Sequence, residues 1–440
     1  MSKKHLLAIA ICIVIAGGPG SLHSRSQNLT MSLDKLYQIA EENNTSIKSF
    51  NSAVEETAQG ISSAKAERLP DINASLSASY LGNGYITERD FSNGASVHIP
   101  HLGTNFALKA SWAVYTGGAV TAGIDIAKLS NEIAKVNALE NRNNVRFLIT
   151  GFYLQLHSLQ NQIKVFDENI SLTDSLLALT HSRYTEGVVL QNDITRYELQ
   201  LENLKLAKTQ AVNKAKIINH QLITTLGIDE NINILTSDDF ELEGYKNTGE
   251  PEWQNYATQY APSLLRSKLG IKMSEQKEKL EQSERLPKIA LFAEDHIDGP
   301  ITFEIPNLNN NFHYWYVGVN ISYNLGSLYK SNKKVKQART ATRQVRESHE
   351  ALAESVENSI QAAYTDYLTC LAELETNTKS VQLASQNYDI IFNRYSNGLA
   401  LVTDMVDAAN QRLNAQLALV NSRINIIYNY YNLKRLSGTI

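Results

Sequence analysis

From residue 72 to residue 80 the side chains alternate strictly in polarity. Ile72, Ala74, Leu76, Ala78 and Tyr80 interleave with Asn73, Ser75, Ser77 and Ser79. A period of two is that of a β-strand with one apolar and one polar face. A second such stretch carries Phe106, Leu108, Ala110, Trp112 and Val114 on one face, and a later one carries Trp315, Val317, Val319, Ile321 and Tyr323. A fourth strand, about 288–295, alternates less clearly. Each is about ten residues long, the length that crosses a bilayer at a tilt. Tyr80, Trp112, Tyr115, Trp315 and Tyr323 fall near strand ends, where interfacial aromatic girdles sit. A soluble sandwich would need more than four such strands.

The rest of the pattern is helical. Leu190, Ile194, Tyr197, Leu201, Leu204, Lys208, Ala211, Ala215, Ile218 and Leu222 step by alternating fours and threes, a coiled-coil seam with one polar position. A looser version runs through Met405, Ala409, Leu413, Leu417, Val420, Ile424, Ile427 and Tyr431. A preceding helix over about 118–180 would be roughly 90 Å long at 1.5 Å per residue.

The chain reads as a tandem repeat. Glu67-Arg68-Leu69-Pro70 recurs as Glu284-Arg285-Leu286-Pro287, an offset of 217 positions (284 less 67). Further on the offset is 211 (394 less 183). Arg183-Tyr184-Thr185-Glu186-Gly187 matches Arg394-Tyr395-Ser396-Asn397-Gly398, and Tyr153, Asp193 and Gly227 match Tyr364, Asp404 and Gly438. Each half begins with a helix of about 35 residues (30–68 and 251–285), stopped at a Leu-Pro step. A strand pair, a very long helix, a glycine-marked turn and a returning helix follow. The expected organisation is a signal peptide over 1–26, a first repeat over 27–227, a linker or equatorial segment over 228–250 and a second repeat over 251–440. The equatorial belt is expected from the N-terminal segment together with 228–250.

Composition narrows this picture. The eight prolines leave residues 101–250 and 307–440 free of proline, which permits very long helices. With 41 Lys+Arg against 45 Asp+Glu the net charge is −4, which argues against a nucleic-acid partner. A mean hydropathy of −0.27 excludes a polytopic helical membrane protein. Lys3 and Lys4 before the apolar run 6–16 read as an export signal. Cys12 within that run is the alternative reading, a lipid-anchored cysteine, but Ile11 stands where a small residue is expected. That leaves Cys370 alone in the mature chain, so no disulfide or cysteine metal site is expected. His98, His101, His296 and His313 fall in expected external loops without a carboxylate pattern to complete a metal site, so no metal and no cofactor is assigned. No phosphate loop, nucleophile elbow, H-E-x-x-H or dinucleotide glycine pattern occurs, so the chain is not read as an enzyme.

Four amphipathic strands leave two sheet edges open, and in lipid each unpaired backbone group costs several kcal/mol. Closure with further copies of the chain is the expected solution. The duplicated strand-pair and helix-hairpin plan resembles the TolC-like outer membrane efflux proteins over nearly the whole mature length. The resemblance is carried by Leu33-Asp34-Lys35-Leu36 with Ala40-Glu41-Glu42-Asn43-Asn44, by Tyr115-Thr116-Gly117-Gly118 and Asn324-Leu325-Gly326-Ser327, and by the two Arg-Tyr-x-x-Gly motifs with Asp193 and with Asp404-x-x-Asp407-Ala408.

That resemblance implies an α+β membrane protein: a homotrimer with a 12-stranded β-barrel in the bacterial outer membrane, continuous with a periplasmic α-helical barrel. It implies a passive exit duct docked to a periplasmic adaptor (membrane fusion) protein and an inner-membrane pump, for efflux or type I secretion. It implies that Asp404, Asp407 and Asp193 line the entrance as selectivity carboxylates, and that Tyr395 latches to Asp193. It also implies that the tip turns at Arg183, Gly187, Arg394 and Gly398 meet the adaptor. From the residues alone, Asp404 and Asp193 read equally as helix N-terminal caps, and the two glycines as left-handed turns. Where the family carries a second latch arginine, this chain has Ala400. The competing function is a structural coiled-coil envelope scaffold without a pore.

Overall fold

The computed structural model describes residues 27–237, 249–304 and 306–440. The expected signal peptide and residues 238–248 of the linker lie outside the described residues. The elements in chain order are β1 (Gln27–Met31), α1 (Leu33–Asn43), α2 (Thr45–Ala66), β2 (Asp71–Tyr80), β3 (Gly84–Ile86), β4 (Ala95–Val97), β5 (Leu102–Tyr115), α3 (Ala119–Thr185), α4 (Gln191–Leu226), β6 (Ile232–Thr236), α5 (Glu250–Tyr260), α6 (Pro262–Ser283), β7 (Lys288–Gly299), β8 (Phe312–Ser322), α7 (Ser327–Ser396) and α8 (Val402–Ser437).

β2, β5, β7 and β8 form one antiparallel sheet in that order, so the strand pairs of the two halves join through β5 and β7. Among the described residues the outer edges of β2 and β8 have no partner strand. The alternation is kept in space. One face presents Ile72, Leu76, Tyr80, Trp315, Val317 and Ile321, each more than two-thirds exposed. The opposite face carries a polar network. Glu294 accepts from the Tyr316 hydroxyl at 2.8 Å and pairs with Lys109 at 3.2 Å and His296 at 2.9 Å. Tyr314 donates to Asp298 at 3.1 Å. β7, the strand expected over about 288–295, runs on to Gly299, longer than its weak alternation suggested. Two of the histidines expected in loops therefore sit on strands: His296 on the polar face of β7, and His313 beside Asp295 on the other face, at 2.6 Å. Only His98 and His101 remain in a loop, ring against ring at 5.4 Å. No group of three metal-ligating side chains converges among the described residues.

α3 and α7 have 67 and 70 residues, about 100 Å each at 1.5 Å per residue. α4 and α8 have 36 residues each and return along only half of that length. The other half is covered by α2 and α6. The expected single opening helices are each broken, at Asn44 and at Ala261, which are repeat partners (261 less 44 is 217). The causes differ. Asn44 takes an extended conformation while its Oδ1 accepts from Ile47 N at 3.0 Å, capping α2, and its Nδ2 donates to Thr225 O at 2.7 Å, at the end of α4. Ala261 precedes Pro262, whose ring excludes the helical conformation from the residue before it. Asn44→Ala removes both bonds, and an N-cap loss costs about 1–2 kcal/mol. We expect a lower Tm for the helical part by circular dichroism, with Asn44→Asp, which keeps the cap acceptor, falling less.

Two apolar cores repeat one plan. Leu36, Ala40 and Ile47 are buried in the first, and Trp253, Ala257 and Leu264, each 217 positions on, in the second. Ile149, Leu156 and Leu222 likewise match Ile360, Tyr367 and Leu433 at 211. The first core has an addition that no periodicity announced, the parallel pair β1–β6. Tyr153, fully buried, donates its hydroxyl proton to Met31 O at 2.8 Å and accepts from Ser237 N at 3.0 Å, which pins both strands to α3. The α4 seam is buried at Ile194, Tyr197, Leu201, Leu204, Ala211, Ile218 and Leu222. Its polar member, Lys208, pairs with Asp167 on α3 at 2.5 Å.

Candidate functional site

The ends of the two helical hairpins farthest from the sheet hold all of the sequence-marked site residues. α3 ends at Thr185 and α7 at Ser396. Gly187 and Gly398 follow in the left-handed region, with φ of +75° and +73°. Gly187 N donates to Tyr184 O and Val188 N to Arg183 O, while Gly398 N donates to Tyr395 O and Leu399 N to Arg394 O. This double bond pattern closes a helix end and favours glycine because it requires positive φ. Beyond each turn, Val188, Leu190, Leu399 and Leu401 are all about two-thirds exposed.

The returning helices then start with their third residue turned back. Asp193 Oδ2 accepts from Leu190 N at 3.0 Å, and Asp404 Oδ2 accepts from Leu401 N at 3.1 Å. Both carboxylates cap their own helices, where the dipole and unpaired N–H groups favour negative charge. Asp407, one turn on, is exposed and accepts from Gln411 Nε2 at 2.8 Å. Asp404 and Asp407 share one helix face by their spacing of three.

Between the turns lies a small core of Leu176, Tyr197, Tyr388, Tyr395, Val402 and Met405. Tyr395 is 2% exposed. Its hydroxyl meets Thr180 Oγ1 at 3.0 Å on α3. The expected Tyr395–Asp193 bond is not made within this chain: the Asp193 carboxylate accepts from Leu190 N, and the Tyr395 hydroxyl meets Thr180. Over the same ring, at 5.0 Å, lies the guanidinium of Arg183. Its Nη1 donates to Tyr395 O at 2.8 Å and its Nη2 to Ser396 O. One planar side chain at the end of α3 thus grips the last carbonyls of α7, where the helix dipole is negative. Tyr197 packs edge-on to Tyr395 at 6.4 Å, and burial raises its hydroxyl pKa far above the usual tyrosine value. Ala400 lies half-buried against this core.

The residue motif led to Arg183, Tyr395 and both glycines, but not to Thr180, nor to the Arg412 guanidinium stacked 4.8 Å from the Tyr388 ring. Tyr197 was visible only as a seam position. Thr180 carried no signal, because its role depends on a helix more than 200 residues away.

Comparison with known proteins gives one consistent answer. The family described as outer membrane efflux protein matches residues 36–228 and 253–439. The chain is similar to outer membrane protein TolC of Escherichia coli (strain K12), 21% identical over 457 residues, spanning 99% of this chain and 87% of that protein. It is similar to outer membrane efflux protein BepC of Brucella suis biovar 1, 19% identical over 440 residues, spanning 99% and 90%. In structure it is similar to outer membrane protein VceC of Vibrio cholerae, with a TM-score of 0.75, 16% identity and coverage of 92% of this chain and 96% of that one.

Proposed function

The chain belongs to the outer membrane efflux protein family, and on that footing we propose that three copies close into one passive exit duct for an efflux or type I secretion assembly. It is a channel protein of the outer membrane with a periplasmic helical part, and it is not an enzyme. The observation that carries the trimeric duct is the sheet. Among the described residues it has two unpartnered edges, one bare apolar face and one face of paired charges and hydroxyls. Lipid against the first face, water against the second and further copies at the edges satisfy all three demands at once. Three four-stranded sheets give a twelve-stranded barrel, and the four helical walls per copy give a twelve-helix tunnel beneath it.

In this arrangement the tips are the periplasmic entrance. Asp404 and Asp407, repeated by symmetry, form stacked carboxylate rings that favour cations, with Asp193 contributing a weaker third ring. Capping and ring roles coexist, since a cap uses one oxygen and leaves the charge. The exposed apolar turns around Gly187 and Gly398 form the landing surface for a periplasmic adaptor, which couples the duct to an inner-membrane pump. The energy for transport comes from that pump.

The test is planar-bilayer recording of the purified protein. We expect conductance with cation preference, and a several-fold loss of that preference in Asp404→Asn plus Asp407→Asn. Asparagine keeps the cap acceptor at 404, so folding is preserved while charge is removed. A protein that is monomeric in detergent, shows no heat-modifiable barrel and carries no current would point instead to the pore-less scaffold and sink the duct.

A further inference from the structure

The two hairpins carry the same tip chemistry, but only one copy of it is used. Arg183 covers Tyr395 and binds Tyr395 O and Ser396 O. The repeat partner of Arg183 is Arg394, and that of Tyr395 is Tyr184, both at the offset of 211. Arg394 is exposed and, among the described residues, its side chain reaches only Leu399 O of its own turn, at 3.5 Å. Tyr184 is 44% exposed, against 2% for Tyr395. Its ring has no guanidinium over it among the described residues.

The bareness extends up the helices. Leu206 on α4 is 57% exposed, whereas its partner Leu417 on α8 packs into the first core. Ile390 on α7 is 59% exposed, whereas its partner Leu179 on α3 packs against the tip core. Within one chain the hairpins lie side by side through α3 and α8, leaving α4 and α7 on the outer flanks. Shifting each helix to its repeat partner turns the α3–α8 contact into α7 against α4. Those are the two flanks left open.

We infer that Arg394 of one copy clamps the tip of α3 in the next copy, its guanidinium over Tyr184 and its fork on the Tyr184 and Thr185 carbonyls. The occupant of this surface is a second copy of the chain, placed head to tail. The contact is heterologous, α7 on α4, so it propagates into a ring. Charge complementarity favours it, since a guanidinium meets the negative end of a helix. The entrance ring is then held by arginine clamps that alternate within and between copies. This rests on the duct reading above, because only a closed ring supplies a neighbour to every tip.

The experiment is cysteine cross-linking of the full-length protein in detergent, with Cys12 and Cys370 changed to serine. Tyr184→Cys plus Arg394→Cys, treated with a short bismaleimide, should give linked multimers on denaturing gels, several-fold above either single variant. Arg183→Cys plus Tyr395→Cys should link within one chain and leave the monomer band in place. As a second readout that needs no engineered thiol, Arg394→Ala should raise the conductance of the resting duct several-fold, and Arg394→Lys should not restore it, since an ammonium cannot fork to two carbonyls. A particle that sizes as an oligomer and conducts, yet shows no multimers from the 184/394 pair, overturns the clamp and leaves the duct standing. A non-conducting monomer overturns both.

Discussion

In the proposed duct, Arg183→Ala should loosen the entrance more than any other single substitution at the tip. The guanidinium makes two charge-assisted hydrogen bonds to the terminal carbonyls of α7 and covers the Tyr395 ring at 5.0 Å. Hydrogen bonds to a charged group contribute roughly 1.5–3 kcal/mol and a stacked cation about 0.5–1 kcal/mol. Arg183 is half-exposed, so the lower part of that range, about 2 kcal/mol per clamp, is the sensible expectation. At about 1.4 kcal/mol per factor of ten, the balance between closed and open tips shifts roughly 30-fold for each copy. Bilayer recordings should show larger and longer openings. Lysine at 183 should rescue little. Thr180→Val, which removes the hydroxyl contact to Tyr395 together with the hydroxyl's bond back to Leu176 O, should shift the balance by about 1 kcal/mol. Equal conductance in wild type and Arg183→Ala would mean that this contact only packs the tip.

That clamp also marks where the sequence stops being readable. The Arg-Tyr-x-x-Gly repeat announced the turns because a left-handed glycine after a helix is a local property. The target of Arg183 is 212 positions away, at Tyr395, and no local pattern states it. Of the two readings of Asp193 and Asp404 only the cap is local, and geometry shows it in each hairpin; the carboxylate ring came from the resemblance and depends on further copies of the chain. The strands and the α4 seam were legible because polarity alternates with the period of the element. The breaks at Asn44 and Ala261 were not, because helical periodicity runs straight through them. Pro262 could have warned of the second break. The first depends on an amide that finds Thr225 O only in the folded chain. The β1–β6 pair escaped for a similar reason. Two five-residue strands some 200 positions apart carry too little pattern to announce a parallel pairing. His296 and His313 were misplaced because the loop was drawn too long; once β7 and β8 extend to Gly299 and Phe312, the parity of their positions puts them on opposite faces.

The joints where the short helices meet end to end should be the most fragile points of the wall, and unequally so. Gly227 and Gly438 are repeat partners that end α4 and α8 with φ of +67° and +80°. A side chain at either pays the left-handed penalty of roughly 1–2 kcal/mol. At Gly227 an added Cβ would lie 3.0 Å from Asn43 O, a contact relieved by a shift of a few tenths of an ångström. At Gly438 it would lie 2.2 Å from Tyr260 O and 2.7 Å from Tyr260 C. Those are backbone atoms, and no rotamer change moves them. They are also followed by Ala261 and Pro262, where the proline ring fixes the chain and allows little retreat. Gly438→Ala should therefore cost about 3–5 kcal/mol, in the range reserved for a strained backbone position with an unrelieved clash. Gly227→Ala should cost about 1–2 kcal/mol. Urea titration followed by circular dichroism should separate the two midpoints clearly, and only Gly438→Ala should lower the yield of assembled particles. Equal losses from the two variants would mean that the Tyr260–Pro262 joint yields as readily as the Asn43–Asn44 joint. The stiffness assigned here to proline would then be wrong. If the order holds, α8 meets the α5–α6 junction at a rigid joint and α4 meets the α1–α2 junction at a compliant one, and in the proposed duct movement of the first hairpin at its base is the easier way to widen the tip.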